Sequence, residues 1–122
     1  MAGSYNITHK GKTIFCLDVE GLQVKDKTLF RTSIEEAKEK IRKAPPKSLL
    51  VITHVKNTGF DTEIANIMKE YASHNTPYVK ASAVVGVSGM QKIILTAIKT
   101  LTGRDFHVTE TIEEAKEWLV KQ

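Results

Sequence analysis

Residues 48–55, Ser-Leu-Leu-Val-Ile-Thr-His-Val, form a near-continuous apolar run directly after Pro45-Pro46. A run of four to eight such residues without polar alternation is the pattern of a strand covered on both faces or lying centrally in a sheet. A strand of that kind cannot stand alone, so the rest of the chain must supply partner strands and helices to cover them. Residues 81–87, Ala-Ser-Ala-Val-Val-Gly-Val, repeat the pattern and read as a second buried strand.

The intervening segments have a helical period. Residues 32–44 carry Ile34, Ala37, Ile41 and Ala44 on one face, with Ser33 and Glu36 in the S-x-x-E arrangement of a capping box, and Pro45-Pro46 as a stop. After the loop composition of residues 56–61, Ile64, Ile67, Met68, Tyr71 and Ala72 form a second apolar stripe that ends near Asn75 and Pro77. Met90, Ile93, Ile94, Ala97, Ile98 and Leu101 form a third, closed by Gly103. Phe106-His107-Val108 reads as a short strand. Residues 111–122 read as a last helix opened by a Thr111/Glu114 capping box, burying Ile112, Ala115 and Leu119 and covering part of Trp118. At the other end, residues 4–9 and 12–19 read as a β-hairpin around Lys10-Gly11, because Gly accepts the positive φ of a tight turn.

The order ββαβαβαβα predicts an α/β fold. It has a mixed, largely parallel sheet packed by about four helices and opened by an N-terminal hairpin, all in one domain over residues 1–122. Its expected core includes Leu50, Val51, Ile52, Val84, Val85, Ile94, Ile98 and Leu119. The string IEEAKE occurs at 34–39 and again at 112–117, but its neighbours follow no fixed period, and capping boxes with good helix formers converge on such strings without duplication.

With 41% hydrophobic and 26% charged residues, the chain has the proportions of an ordinary globular domain rather than a disordered segment. Its longest stretch free of charge lies between Lys80 and Lys92, about half of the ~20 residues that a membrane-spanning helix needs. One cysteine, Cys16, excludes an internal disulfide framework and a multi-cysteine zinc site; in a strand it reads as a buried, inert thiol. Residues 1–6, MAGSYN, lack the basic start and apolar run of a secretory signal, so the expected compartment is the cytoplasm.

The net charge of +4 falls entirely before Thr62; from there on acids and bases balance. Most of the excess lies in residues 38–47, where Lys38, Lys40, Arg42, Lys43 and Lys47 face only Glu39. Without interleaved aromatics for base stacking, this cluster reads as a solvated helix end, giving no specific nucleic-acid binding.

Two strings carry a resemblance to the STAS domain, the SpoIIAA-like fold. Residues 49–71, LLVITHVKNTGFDTEIANIMKEY, are similar to that family's central strand, loop and second helix. Residues 89–119, GMQKIILTAIKTLTGRDFHVTETIEEAKEWL, are similar to its closing segment, with a Leu-Thr-Gly helix end, a short strand and a last helix begun by paired acids. The resemblance implies a non-enzymatic module that acts through a protein partner. In some relatives a Ser or Thr at the start of the second helix is a phosphorylation switch within an Asp-Ser/Thr-Ser-Gly motif. Here the string is Asp61-Thr62-Glu63-Ile64, which keeps an acceptor but departs at the next two positions, and His54 stands where the strand usually closes with Asp. Asp61 or Thr62 also suits a plain helix N-cap.

No nucleotide-binding, nucleophile-elbow or zinc-protease motif is present, and His9, His54, His74 and His107 lack ligand spacing, so no catalytic residue, cofactor or metal is expected. The expected partner-binding or switch loop is Asn57, Thr58, Gly59, Phe60, Asp61 and Thr62, a loop held between a strand and a helix. Gly86, Ser88 and Gly89 open a helix after a strand and could offer backbone N–H groups to an anion. The alternative function is a small-molecule or lipid-binding domain with its pocket between sheet and helices.

Overall fold

The computed structural model describes residues 2–122. They form a five-stranded sheet of β1 (Gly3–His9), β2 (Lys12–Asp18), β3 (Leu49–His54), β4 (Val79–Val85) and β5 (His107–Thr109), in that spatial order. β1 and β2 are antiparallel and joined at Lys10-Gly11, where both residues have positive φ (49° and 78°), the geometry of a two-residue hairpin turn. All later pairings are parallel. The helices are α1 (Lys27–Ile41), α2 (Thr62–Asn75), α3 (Met90–Thr102) and α4 (Ile112–Leu119).

Each parallel crossover advances one strand in the same direction, and crossovers of one hand then put their helices on one face. The alternation of the strands matches this. Phe15, Leu17, Val51 and Val84 face the side of α1, α2 and α3, while Ile14, Cys16, Leu50, Ile52, Ala83 and Val85 face the side closed by Ala115 and Leu119 of α4. Two-sided burial explains the unbroken apolar runs. The fold is thus mixed α/β with a mostly parallel sheet and four helices. At α4 the expected cap is present: the Thr111 hydroxyl accepts the Glu114 N–H and donates to the Glu114 carboxylate. Trp118 is half-buried and stacks on His107, with ring centroids 4.3 Å apart.

Three expectations need correction. α1 starts at Lys27, not at a Ser33/Glu36 capping box; Ser33 is buried inside the helix and its hydroxyl donates to the Leu29 carbonyl. Phe30, fully buried, extends the stripe of Ile34, Ala37 and Ile41 backward by a turn, and that burial outweighs the local capping signal. The third stripe is split: Ile98 is buried, but Met90, Ile93 and Leu101 are exposed by 62%, 72% and 60%. Ile94, expected in the core, is only half-buried. α3 packs on α2, and Ile94, Leu95 and Ile98 are the residues it turns to the core. The second buried strand runs Val79–Val85, two residues earlier than expected, because Gly86 takes φ +82° and turns the chain out of the sheet.

Candidate functional site

A cavity lies between α3 and the sheet. Its enclosed room is about 60 Å³, and the whole void, mouth included, is about 580 Å³. Val51, Thr53, Ser82 and Val84 form the floor, Met68 and Tyr71 of α2 one wall, and Ile94, Leu95 and Ile98 of α3 the roof. The two ends differ because both helices run antiparallel to the strands.

At the end next to the strand C-termini, Gln91 is fully engaged. Its Nε2 donates to the carbonyls of Val55 (3.0 Å) and Thr58 (2.8 Å), and its Oε1 accepts the Ser88 N–H (3.1 Å). This amide stitches α3 to the loop after β3. It also bears on the Gly86/Ser88/Gly89 candidate, since the Ser88 N–H is taken by Gln91 and the Gly86 N–H by the Thr109 carbonyl.

The opposite end is polar and incompletely paired. The Arg104 guanidinium donates from Nη1 to the Ala72 carbonyl (2.9 Å) and from Nη2 to the Ser82 hydroxyl (2.6 Å), and lies 4.8 Å from the centre of the Phe106 ring. Among the described residues it has no carboxylate within salt-bridge distance. Burial pushes its pKa down, although a guanidinium keeps its proton. Tyr71, 3% exposed, has a hydroxyl buried among these groups without a hydrogen-bond partner. Burial holds this phenol well above the usual tyrosine range, so it is a neutral donor. An unpaired buried hydroxyl costs about 1–3 kcal/mol, a cost that a bound acceptor removes.

The loop expected to bind a partner is largely knitted into the fold. Thr58 is buried and its hydroxyl donates to the Val19 carbonyl (2.8 Å); the Gly59 N–H donates to Leu22 (2.7 Å), and Gln23 Nε2 donates to the Asn57 carbonyl (2.9 Å). Gly59 is closely packed: a Cβ there would sit 2.9 Å from Gln23 Oε1 and 3.2 Å from the Val24 nitrogen. Phe60 meets Phe30 edge-on, with centroids 6.4 Å apart, and its other side lines the cavity. Asp61 is the N-cap of α2, accepting the Ile64 N–H at 2.9 Å; the Lys27 ammonium (2.6 Å) and this bond hold its carboxyl below the usual range. Thr62 is exposed at the first helical position, beside Glu63, which pairs with Lys27 and Arg31. Of the six loop residues, only Asn57 and Thr62 are fully exposed.

The basic stretch is similarly occupied. Lys38 pairs with Glu35 and Glu70, Arg42 with Glu39, Lys40 donates to Ser4 and Lys47 to the Thr76 carbonyl. Lys43 alone of the five lacks an acceptor among the described residues. No helix of the described residues is long and apolar enough to cross a membrane.

One cluster was not legible in the spacing of histidines. Asp18 and His54 are register partners at the ends of β2 and β3, with His54 Nδ1 3.5 Å from Asp18 Oδ1 and Nε2 3.8 Å from Glu20 Oε2. The ligand atoms of the three lie within 4.8 Å of one another. The imidazole sits between the carboxylates with a different nitrogen toward each.

No family model matches the chain, and no curated protein is similar to it in sequence. A solved structure is similar in fold: an uncharacterised protein of the DUF3478 family, with a SpoIIAA-like fold, from Shewanella loihica PV-4. The TM-score is 0.72 at 13% identity, over 98% of this chain and 95% of that one. At that identity the likeness speaks to fold alone, and it agrees with the strand order and helix placement above: this chain has the SpoIIAA-like fold.

Proposed function

We propose that the protein is a non-enzymatic binding module that takes a small, mainly apolar molecule into the cavity between the sheet and α2/α3. The observation that carries this reading is the Tyr71 hydroxyl, buried without a well-formed hydrogen bond in a void whose walls are mainly apolar. Protein interiors rarely leave such a group unpaired. The enclosed room is smaller than an engineered 150 Å³ cavity that admits benzene, so a slim chain suits it better than a ring.

The test fills the cavity. Val84→Phe, on the floor, should leave the chain folded and equally or more stable, because it occupies empty space, while abolishing amide shift changes on addition of 1-octanol. Wild-type protein that shows no saturable shifts with octanol, or a filled variant that still shows them, contradicts the reading.

A second reading, a STAS-like module that engages a protein partner, is favoured by the exposed outer face of α3. Met90, Ile93 and Leu101 lie along that face at helical spacing, whereas the loop at 56–62 offers little free surface. Ile93→Glu should then abolish capture of a discrete partner without changing stability; unchanged capture contradicts it.

A further inference from the structure

We propose that the molecule taken by the cavity is an apolar monocarboxylic acid whose carboxylate sits between the Arg104 guanidinium and the Tyr71 hydroxyl. The inference rests on the cavity reading and adds the ligand's chemical class. Three observations converge on it. Arg104 lines the cavity as a cation with no acid partner among the described residues, and a partly desolvated guanidinium without a counter-charge is a costly arrangement that an anion relieves. Only two of its bonds to protein close, both to neutral acceptors that fix its plane; a guanidinium has five N–H donors, so others remain for a ligand.

Tyr71 supplies the second point. Its hydroxyl is buried, lines the same cavity and makes no hydrogen bond of good geometry, with the Asn75 side chain as a polar neighbour, while the charge of Arg104 reaches its phenol. A neutral donor and a forked cation in the lining of one cavity suit the two oxygens of a carboxylate. A phosphoryl group has three oxygens and a larger charge, and this end of the cavity has one cation. The rest of the ligand faces mainly apolar side chains, Val84, Ile94, Leu95 and Ile98, with Thr53 on the floor as a polar exception, which suits a mainly hydrocarbon body. A neutral ligand would leave Arg104 as uncompensated as before.

The experiment is titration of the full chain with octanoate, 1-octanol and octylphosphonate, read by amide chemical shifts and calorimetry. Octanoate should bind at least about tenfold more tightly than octanol, the gain expected of a charge-assisted hydrogen bond. In Arg104→Met that preference should vanish, read as the ratio of octanoate to octanol affinity within the same variant. In Tyr71→Phe it should shrink but persist. Arg104→Lys serves if the Met variant does not fold: it keeps a charge but loses the fork, and should hold a reduced preference for octanoate. Equal affinity for octanoate and octanol in the wild type overturns the carboxylate assignment and leaves the cavity reading standing. Tighter binding of octylphosphonate than octanoate overturns it in favour of a phosphoryl group. Failure of all three to bind overturns both.

Discussion

Replacing Tyr71 by Phe should stabilise the protein. Tyr71 is 3% exposed and its ring packs in the larger of the two core clusters, so the ring's contribution survives in Phe. What the change removes is one oxygen that is dehydrated in the folded chain, hydrated in the unfolded chain, and without a well-formed hydrogen bond in the fold, where the Asn75 side chain is a polar neighbour. Leaving such a group unsatisfied costs about 1–3 kcal/mol; allowing for the small void left by the oxygen, a gain of about 1 kcal/mol is expected. For a chain of this size that is a rise in Tm of roughly 3–5 °C. The effect has a pH signature. The folded phenol titrates above its unfolded value of about 10, so above that pH the unfolded chain binds fewer protons, and wild-type stability falls as pH rises. Tyr71→Phe lacks that loss, and its advantage over wild type should widen above about pH 10. Urea denaturation of both proteins at pH 7 and pH 10.5 measures the two quantities. A variant less stable than wild type at pH 7, or an advantage that does not grow with pH, would refute the claim that this hydroxyl is unpartnered.

Gly86→Ala should destabilise by about 2–3 kcal/mol in the same assay: Gly86 has φ +82°, and a Cβ there would lie 2.6 Å from Lys56 Cβ and 2.8 Å from its Cα. Thr58→Val, which deletes the 2.8 Å bond to Val19, should cost about 1–2 kcal/mol and speed hydrogen exchange of the Gly59 amide, whereas an unchanged rate would show that the loop is held by other contacts. Burial in β2 pushes the Cys16 thiol up to about 11, so at pH 8 its reaction with a thiol reagent should be at least about a hundredfold slower than in denaturant. Paired as they are, the cations of residues 38–47 should give only weak binding to duplex DNA that is lost by about 0.15 M salt and is indifferent to sequence, as an anisotropy titration would show.

The strands and their two-sided burial were legible because β3 and β4 carry apolar residues toward both helical layers, a pattern that survives in one dimension. The end of α3 at Gly103 and the start of α4 at Thr111 were equally plain, since each depends on residues within one turn. The start of α1 was not, because Phe30 belongs to the stripe only once the helix is known to reach back over the sheet. Nor was the exposure of Ile93: periodicity marks an apolar face but does not say whether anything lies against it. The cavity was foreseeable as a possibility between sheet and helices, yet its polar end was hidden. Tyr71 reads as an ordinary core aromatic, Arg104 as a surface cation after a glycine turn, and Ser82 as a strand residue. Only the fold brings these positions together, as it does Asp18 and His54 through a register between strands separated by a whole helix.

The proposed binding space is the inside of α3 and not its outside. Intermolecular nuclear Overhauser effects between the octanoate chain and the methyl groups of the isotope-labelled protein address it directly. Contacts to Val84 and Ile98, which line the cavity, are the predicted result. Contacts confined to Met90, Ile93 and Leu101, on the solvent face of the same helix, would contradict it.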